Sequence, residues 1–142
     1  MNATQADLKN EVEYALQNKA SNNKIILGKI QNKNAKIIEK ITGVNVFNRN
    51  QVLYDNDIRH MVIEHQNHNV ELKRHQVAIT IDDIIMIPSI IKNPDYICLG
   101  TLNREGPMVR YIKKYHNYTT YIVEVIPKRK NLKIKTMWKV SH

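Results

Sequence analysis

Residues 108–139, which read MVRYIKKYHNYTTYIVEVIPKRKNLKIKTMWK, decide the fold of this chain. Apolar and polar residues alternate with a period of two in three runs of this stretch and in one run before it. Short turns separate the runs, so consecutive strands must be antiparallel. The sequence therefore predicts a four-stranded, or slightly larger, antiparallel meander with strands at 95–102, 108–115, 120–126 and 132–139.

The chain before residue 94 has helical periodicity instead. Gly43 suits a left-handed helix end, and Thr80 and Asp83 have the spacing of a capping box. Helices are predicted at 5–20, 33–42, 56–66 and after Thr80, where Pro88 divides or kinks the helix. Residues 25–30 are predicted to be extended or irregular. Short strands are predicted at 44–47 and 51–54, and residues 67–76 are predicted to be irregular. Helices followed by a meander predict an α+β fold, with the helices on one sheet face and the other face open.

The length of 142 residues fits one domain, which we divide into a helical extension at 1–24 and a folded domain at 25–142. Four scattered glycines do not form a Walker loop or a dinucleotide-binding fingerprint. The single cysteine, Cys98, excludes an internal disulfide and is expected to be a buried small hydrophobe. No apolar run reaches about 20 residues and no signal-peptide pattern is present, so we expect a soluble, cytoplasmic protein.

Positive charge is concentrated at the end of the chain. The net formal charge is +9, and residues 108–142 contain nine lysines and arginines against one acidic residue, Glu124. This asymmetry favours a polyanionic partner, with nucleic acid first and anionic lipid second. The alternative is a solvated lysine-rich surface without a ligand.

Cations and aromatic rings interleave along the predicted strands, which is typical of sheets that bind single-stranded RNA. The alternative is an exposed sheet face that carries solvating lysines and packing tyrosines. Strict alternation places Arg110 and Lys113 on opposite faces. It also places Thr136 on the face opposite Lys133 and Lys135, unless a β-bulge intervenes.

Histidines and glutamates crowd one polar region of the chain. His65 lies on the apolar stripe of the helix predicted at 56–66, so by itself it suits a core position, whereas His60 lies almost opposite that stripe and suits solvent. The i,i+4 pairs His60/Glu64 and Glu64/His68 could bind a metal, but no H-E-x-x-H motif is present. We therefore predict no metal. The region contains His60, Glu64, His65, His68, Glu71 and His75.

Eight short motifs in order resemble the phage-associated branch of the barnase, EndoU, tRNA-cutting colicin and RelE superfamily, whose shared architecture is called the BECR fold. The resemblance covers residues 25–138 and agrees with helices followed by a meander. The motifs are LGKI (27–30), AKIIEKITGVNV (35–46), DIRHMVIEH (57–65), QVAITIDDI (76–84), IPSIIKNPD (87–95), VRYIKK (109–114), YIVEV (121–125) and LKIKTMW (132–138).

This resemblance implies an endoribonuclease that needs no metal or other cofactor and cleaves RNA, such as tRNA, by transesterification. It implies action in the cytoplasm of a bacterial host and an antitoxin or immunity protein as partner. A non-catalytic binding module that acts as an inhibitor or regulator is the main alternative, and a virion accessory is a third.

The resemblance also assigns roles to residues. His60 or His65 would be the general acid or base, and Arg110 and Lys113 would be phosphate and transition-state cations. Thr136 would donate a hydrogen bond to a phosphate oxygen. Further positions implied or proposed for substrate binding are Arg59, Arg110, Tyr111, Lys133 and Lys135, and Glu124 is another recurrent polar position.

Overall fold

The computed structural model describes residues 4–65 and 76–142, and these form five helices and seven strands. The predicted irregular segment at 67–76 lies almost entirely outside the described residues. The helices are α1 (Gln5–Gln17), α2 (Asn32–Thr42), α3 (Asp55–His65), α4 (Ile81–Ile85) and α5 (Ile87–Lys92). The strands are β1 (Lys24–Lys29), β2 (Asn50–Tyr54), β3 (Gln76–Val77), β4 (Tyr96–Asn103), β5 (Gly106–Lys114), β6 (Tyr118–Val125) and β7 (Leu132–Ser141).

All seven strands belong to one sheet, in which six follow the order β1-β2-β7-β6-β5-β4 and β3 also pairs with β7. Strands β4 to β7 form the predicted antiparallel meander. The predicted purely antiparallel character is wrong, because β2 pairs with β7 in parallel, and β1, β2 and β3 enlarge the sheet beyond the four strands of the meander. Residues 44–47, predicted as a strand, are not one. Local alternation identifies strands but does not encode which distant segment a strand pairs with.

Helix boundaries follow from local capping. Thr4 and Asp7 form a capping box at the start of α1, and Thr80 and Asp83 form the predicted one at the start of α4. Gly43 ends α2 with a φ of 77°, which glycine adopts without steric cost. The segment after Thr80 is two short helices, and proline stands in the first turn of the second.

The helices cover one face of the sheet. Leu132 and Met137 of β7 belong to the same buried cluster as Ile58 and Met61 of α3. Helix α1 packs against α3 and α4 and buries Leu8, Val12 and Ala15 completely or almost so. The helix within the proposed extension at 1–24 is therefore a part of the core.

Three polar side chains meet on the buried face of the sheet. The hydroxyl of Tyr111 donates to Oε1 of Glu124 at 2.6 Å. The amide of Gln51 donates to Oε2 of Glu124 and to the oxygen of Tyr111, each at 3.1 Å. Burial raises the pKa of Glu124 to about 7, although both hydrogen bonds act to lower it.

We predict that this carboxyl makes stability depend on pH. Because its pKa is raised in the folded state, its favourable contribution is complete below pH 4.5 and is lost as pH rises to about 7. A difference of this size corresponds to roughly 3 kcal/mol. Glu124→Gln should flatten the dependence of unfolding free energy on pH between 5 and 8, measured by urea denaturation. Parallel pH profiles for the wild type and the variant would contradict the prediction.

Candidate nucleic-acid interface

A β-bulge in β7 decides which side chains reach the open face of the sheet. Opposite β6, Ile134 pairs with Glu124 and Thr136 pairs with Val123, so Lys135 is the extra residue. Beyond this point the predicted alternation of β7 is wrong. Met137 and Lys139 face the helices, and the open face receives Lys133, Thr136 and Trp138.

The centre of the open face is a stack of a cation and two rings. The rings of Tyr121 and Trp138, which are opposite each other in the β6–β7 ladder, stack with centroids 5.2 Å apart. The guanidinium of Arg110 lies 5.5 Å from the centroid of the Trp138 ring. All three side chains remain partly accessible to solvent. The arrangement offers a flat aromatic surface beside a fixed positive charge.

Two more cation–ring contacts extend this surface on either side. The ammonium of Lys133 lies 5.0 Å from the ring centroid of Tyr54, and Lys114 lies 5.3 Å from that of Tyr96. Lys133 also forms an ion pair of 3.6 Å with Glu105, which belongs to the turn between β4 and β5. The predicted interleaving of cations and rings is thus present on the open face.

At the C-terminal end of β2, α3 begins directly after Tyr54 and brings an acidic residue to β7. The carboxylate of Asp57 lies 3.5 Å from the ammonium of Lys135. Burial raises the pKa of Asp57, and the positive charges of Lys135, Lys133 and His60 oppose this rise. His60 is exposed and stands one helical turn after Asp57. A carboxylate, an imidazole and two ammonium groups therefore share one region.

An open cleft of about 430 Å³ adjoins Lys133. Val52 and Tyr54 of β2 form one wall, and the β6–β7 loop forms another. The loop contributes Arg129, Lys130 and Asn131, and Glu105 completes the lining. Three of the seven lining side chains carry a positive charge and only one carries a negative charge, which suits an anionic ligand.

Three predicted site residues do not contribute to this surface. Arg59 is 9% exposed, and its guanidinium donates to the carbonyls of Ala15 at 3.0 Å and Asn18 at 2.9 Å, so it fixes the end of α1. The ring of Tyr111 is fully buried and cannot stack on a base. Lys113 faces the helix side, where it donates to the carbonyl of Asn93 at 3.1 Å.

The remaining predicted residues lie on or beside the open face, or have side chains outside the described part. Arg110 and Lys133 reach the open face, Lys135 pairs with Asp57 of α3, and Thr136 lies on the open face because of the bulge. Its hydroxyl is buried and has no hydrogen-bond partner among the described residues. His65 ends α3, but its side chain lies outside the described part, as do the candidate ligands His68, Glu71 and His75.

Sequence reasoning missed Asp57, Tyr54, Tyr121 and Trp138 as site residues. The i,i+3 spacing of Asp57 and His60 is a signal that could have linked these two residues.

Within residues 4–65 and 76–142, no three His, Cys, Asp or Glu side chains are grouped to hold a metal ion. No helix in the same ranges is long and apolar enough to cross a membrane.

Comparison with known proteins gives one match. The model of the family described as phage-Barnase-EndoU-ColicinE5/D-RelE like nuclease3 matches residues 10–142. No curated protein and no solved structure matches the chain. The family match begins inside α1 and includes every residue of the open face described above. The chain therefore belongs to this phage-associated family of BECR-type nucleases.

Proposed function

We propose that the protein is an endoribonuclease that binds single-stranded RNA on the open face of its sheet and cleaves it without a metal ion. The observation that carries this proposal is the alternation of cations and rings on that face, centred on Arg110, Trp138 and Tyr121. Phosphates would contact the cations while unstacked bases lie on the rings. The family membership supports nuclease chemistry, and the 2′-hydroxyl of RNA supplies an internal nucleophile.

The proposed reaction is a transesterification. A base removes the proton of the 2′-hydroxyl, O2′ attacks phosphorus, and the bond from phosphorus to O5′ breaks as O5′ receives a proton. His60 would perform one of the two proton transfers, with Asp57 orienting the imidazole. Lys135 and Arg110 would stabilise the additional negative charge of the phosphorane. The products are a 2′,3′-cyclic phosphate and a 5′-hydroxyl.

The first prediction from this proposed function concerns the products. The protein should cleave a 5′-labelled single-stranded RNA in the presence of EDTA and leave 2′,3′-cyclic phosphate ends, because no step uses a metal. End-group analysis by phosphatase sensitivity or mass spectrometry checks this. If RNA is bound but not cut under any condition tested, the non-catalytic binding module replaces the enzyme. Cleavage that EDTA abolishes would contradict the proposed mechanism.

The second prediction concerns His60. His60→Ala should lower kcat/KM by about 100-fold or more, because a positioned acid or base contributes that much to proton transfer. The affinity for RNA should fall only modestly. His116→Ala is the matched control, since His116 is also exposed and lies in the turn between β5 and β6. Equal activities of the two variants would remove His60 from the mechanism.

The third prediction concerns base stacking. Trp138→Leu should weaken binding of a 2′-O-methyl RNA oligonucleotide by about tenfold, because each base stacked on a ring contributes on the order of 1–3 kcal/mol. Tyr14→Leu is the control, because Tyr14 is 47% exposed on α1. Fluorescence anisotropy measures both affinities. A loss of equal size in both variants, or in neither, would argue against base stacking on the open face.

A further inference from the structure

The loop between β6 and β7 carries three consecutive cations that the proposed mechanism does not use. Lys128, Arg129 and Lys130 are all exposed. The loop contains no helix or strand, and a flexible loop would have to lose conformational entropy before its cations could bind a ligand together. The backbone of this loop is nevertheless fixed by contacts from two sides.

One side is fixed by Arg49, which precedes β2. Its guanidinium donates to the carbonyl oxygens of Pro127 and Lys128, and to that of Lys130 at 3.1 Å. A fourth bond, of 2.7 Å, goes to the carbonyl of Asn45, four residues earlier in the chain. The backbone of Arg49 is itself held, since its carbonyl accepts from Ile30 at 3.0 Å. The planar fork of arginine can make these bonds together, whereas a lysine ammonium cannot reproduce them.

The other side is fixed by the turn between β4 and β5. The amide of Ile126 donates to the carbonyl of Pro107 at 2.8 Å. Gly106 has a φ of 154°, and a Cβ at this position would lie 2.3 Å from the carbonyl oxygen of Ile126. Only glycine permits this close approach. The loop is therefore clamped between Arg49 and the turn before its side chains meet any ligand.

The clamped cations continue the open face. Arg129 and Lys130 line the same cleft as Tyr54 and Lys133, and both of these also belong to the interleaved surface. On the other side of the loop, Lys128, Arg129 and Lys130 line a second, larger hollow of about 890 Å³ beside the β4–β5 turn. A polyanion that crosses Lys133 thus meets three further positive charges.

We propose that the Arg49-clamped loop is a second phosphate-binding subsite, which takes the backbone of a single-stranded polynucleotide several nucleotides away from the reacting phosphate. The proposal rests on the proposed function and names the substrate as an extended strand rather than a dinucleotide. Lys128, Arg129 and Lys130 contact phosphates. Arg49 is a positioning residue, because all four of its guanidinium hydrogen bonds end on main-chain carbonyls.

The test compares ligands of two lengths. Fluorescein-labelled 2′-O-methyl RNAs of 12 and 4 nucleotides are titrated into the wild type, the triple variant Lys128→Ala/Arg129→Ala/Lys130→Ala and the single variant Arg49→Lys. The triple variant should bind the 12-mer about tenfold or more weakly, with a salt slope reduced by about 2, because single strands give roughly 0.7 per phosphate contact. Its affinity for the 4-mer should stay within about twofold, since a short strand occupies one subsite.

Arg49→Lys separates positioning from charge. It retains the positive charge, so it should show the same length-selective loss while the salt slope changes less than in the triple variant. Lys36→Ala/Lys40→Ala, two exposed cations of α2, should bind both oligonucleotides as the wild type does. Thermal unfolding of Arg49→Lys checks that it folds, and the exposed triple variant keeps the test decisive if it does not.

Two results would overturn the subsite. The first is an unchanged affinity of the triple variant for the 12-mer. The second is an equal loss of its affinity for the 12-mer and the 4-mer. Binding to these uncleavable oligonucleotides does not depend on catalysis. If the wild type binds with the expected length selectivity but cuts no RNA, the subsite stands and the nuclease mechanism fails.

Discussion

One extra residue in β7 controls the chemistry of the whole open face. Without the bulge at Lys135, Trp138 would point into the helical layer and could not stack on Tyr121. The bulge lets the first half of β7 bury Leu132 and Ile134 while the second half buries Met137. It also leaves Lys135 free of strict alternation, so that its ammonium reaches Asp57 on α3. The same bulge therefore places Leu132, Ile134 and Met137 in the core and Trp138 on the open face.

The sheet separates two kinds of polar cluster. On the helix side, Glu124, Tyr111 and Gln51 pair with one another and are shielded from water, so their hydrogen bonds specify the packing of β2 against the meander. On the open side, Arg110 lies over Trp138 and stays partly solvated. Strand β6 contributes to both sides, because successive side chains alternate between faces. Catalytic or binding chemistry requires access, which the open side provides and the buried cluster around Glu124 lacks.

The parts of the fold that local patterns encode could be predicted from the sequence. Capping boxes, the left-handed end at Gly43 and the four meander strands depend on residues close together in the chain. The bulge has a signal in the sequence as well, since Leu132 and Ile134 are two residues apart but Met137 follows three later. The parallel pairing of β2 with β7 and the burial of α1 are long-range choices. An apolar stripe such as that of Leu8 and Val12 does not state which surface it packs against.

The candidate site was predictable to the extent that polar residues had to remain in solvent. Arg110 and Lys133 lie on strands whose opposite faces are apolar, and both reach the open face. Arg59 and Tyr111 were misleading because a guanidinium or a phenol can be buried when hydrogen-bond partners are available. Those partners are the carbonyl of Ala15 and the carboxyl of Glu124, which come from other elements. Residue type and local periodicity contain no information about them.

The cations of the last strands also differ in how easily a phosphate could engage them. Lys139 is 9% exposed and pairs with Asp83 at 3.0 Å, so removing its partner would leave a buried charge uncompensated. Lys133 pairs at 3.6 Å with Glu105, whose side chain is 48% exposed. Such a solvated ion pair contributes on the order of 1 kcal/mol or less to stability. A phosphate that contacts Lys133 and a second cation can therefore displace Glu105. Fewer cations of these strands are therefore available to a ligand than their net charge suggests. Lys133, on the open face, is available, whereas Lys139 is not.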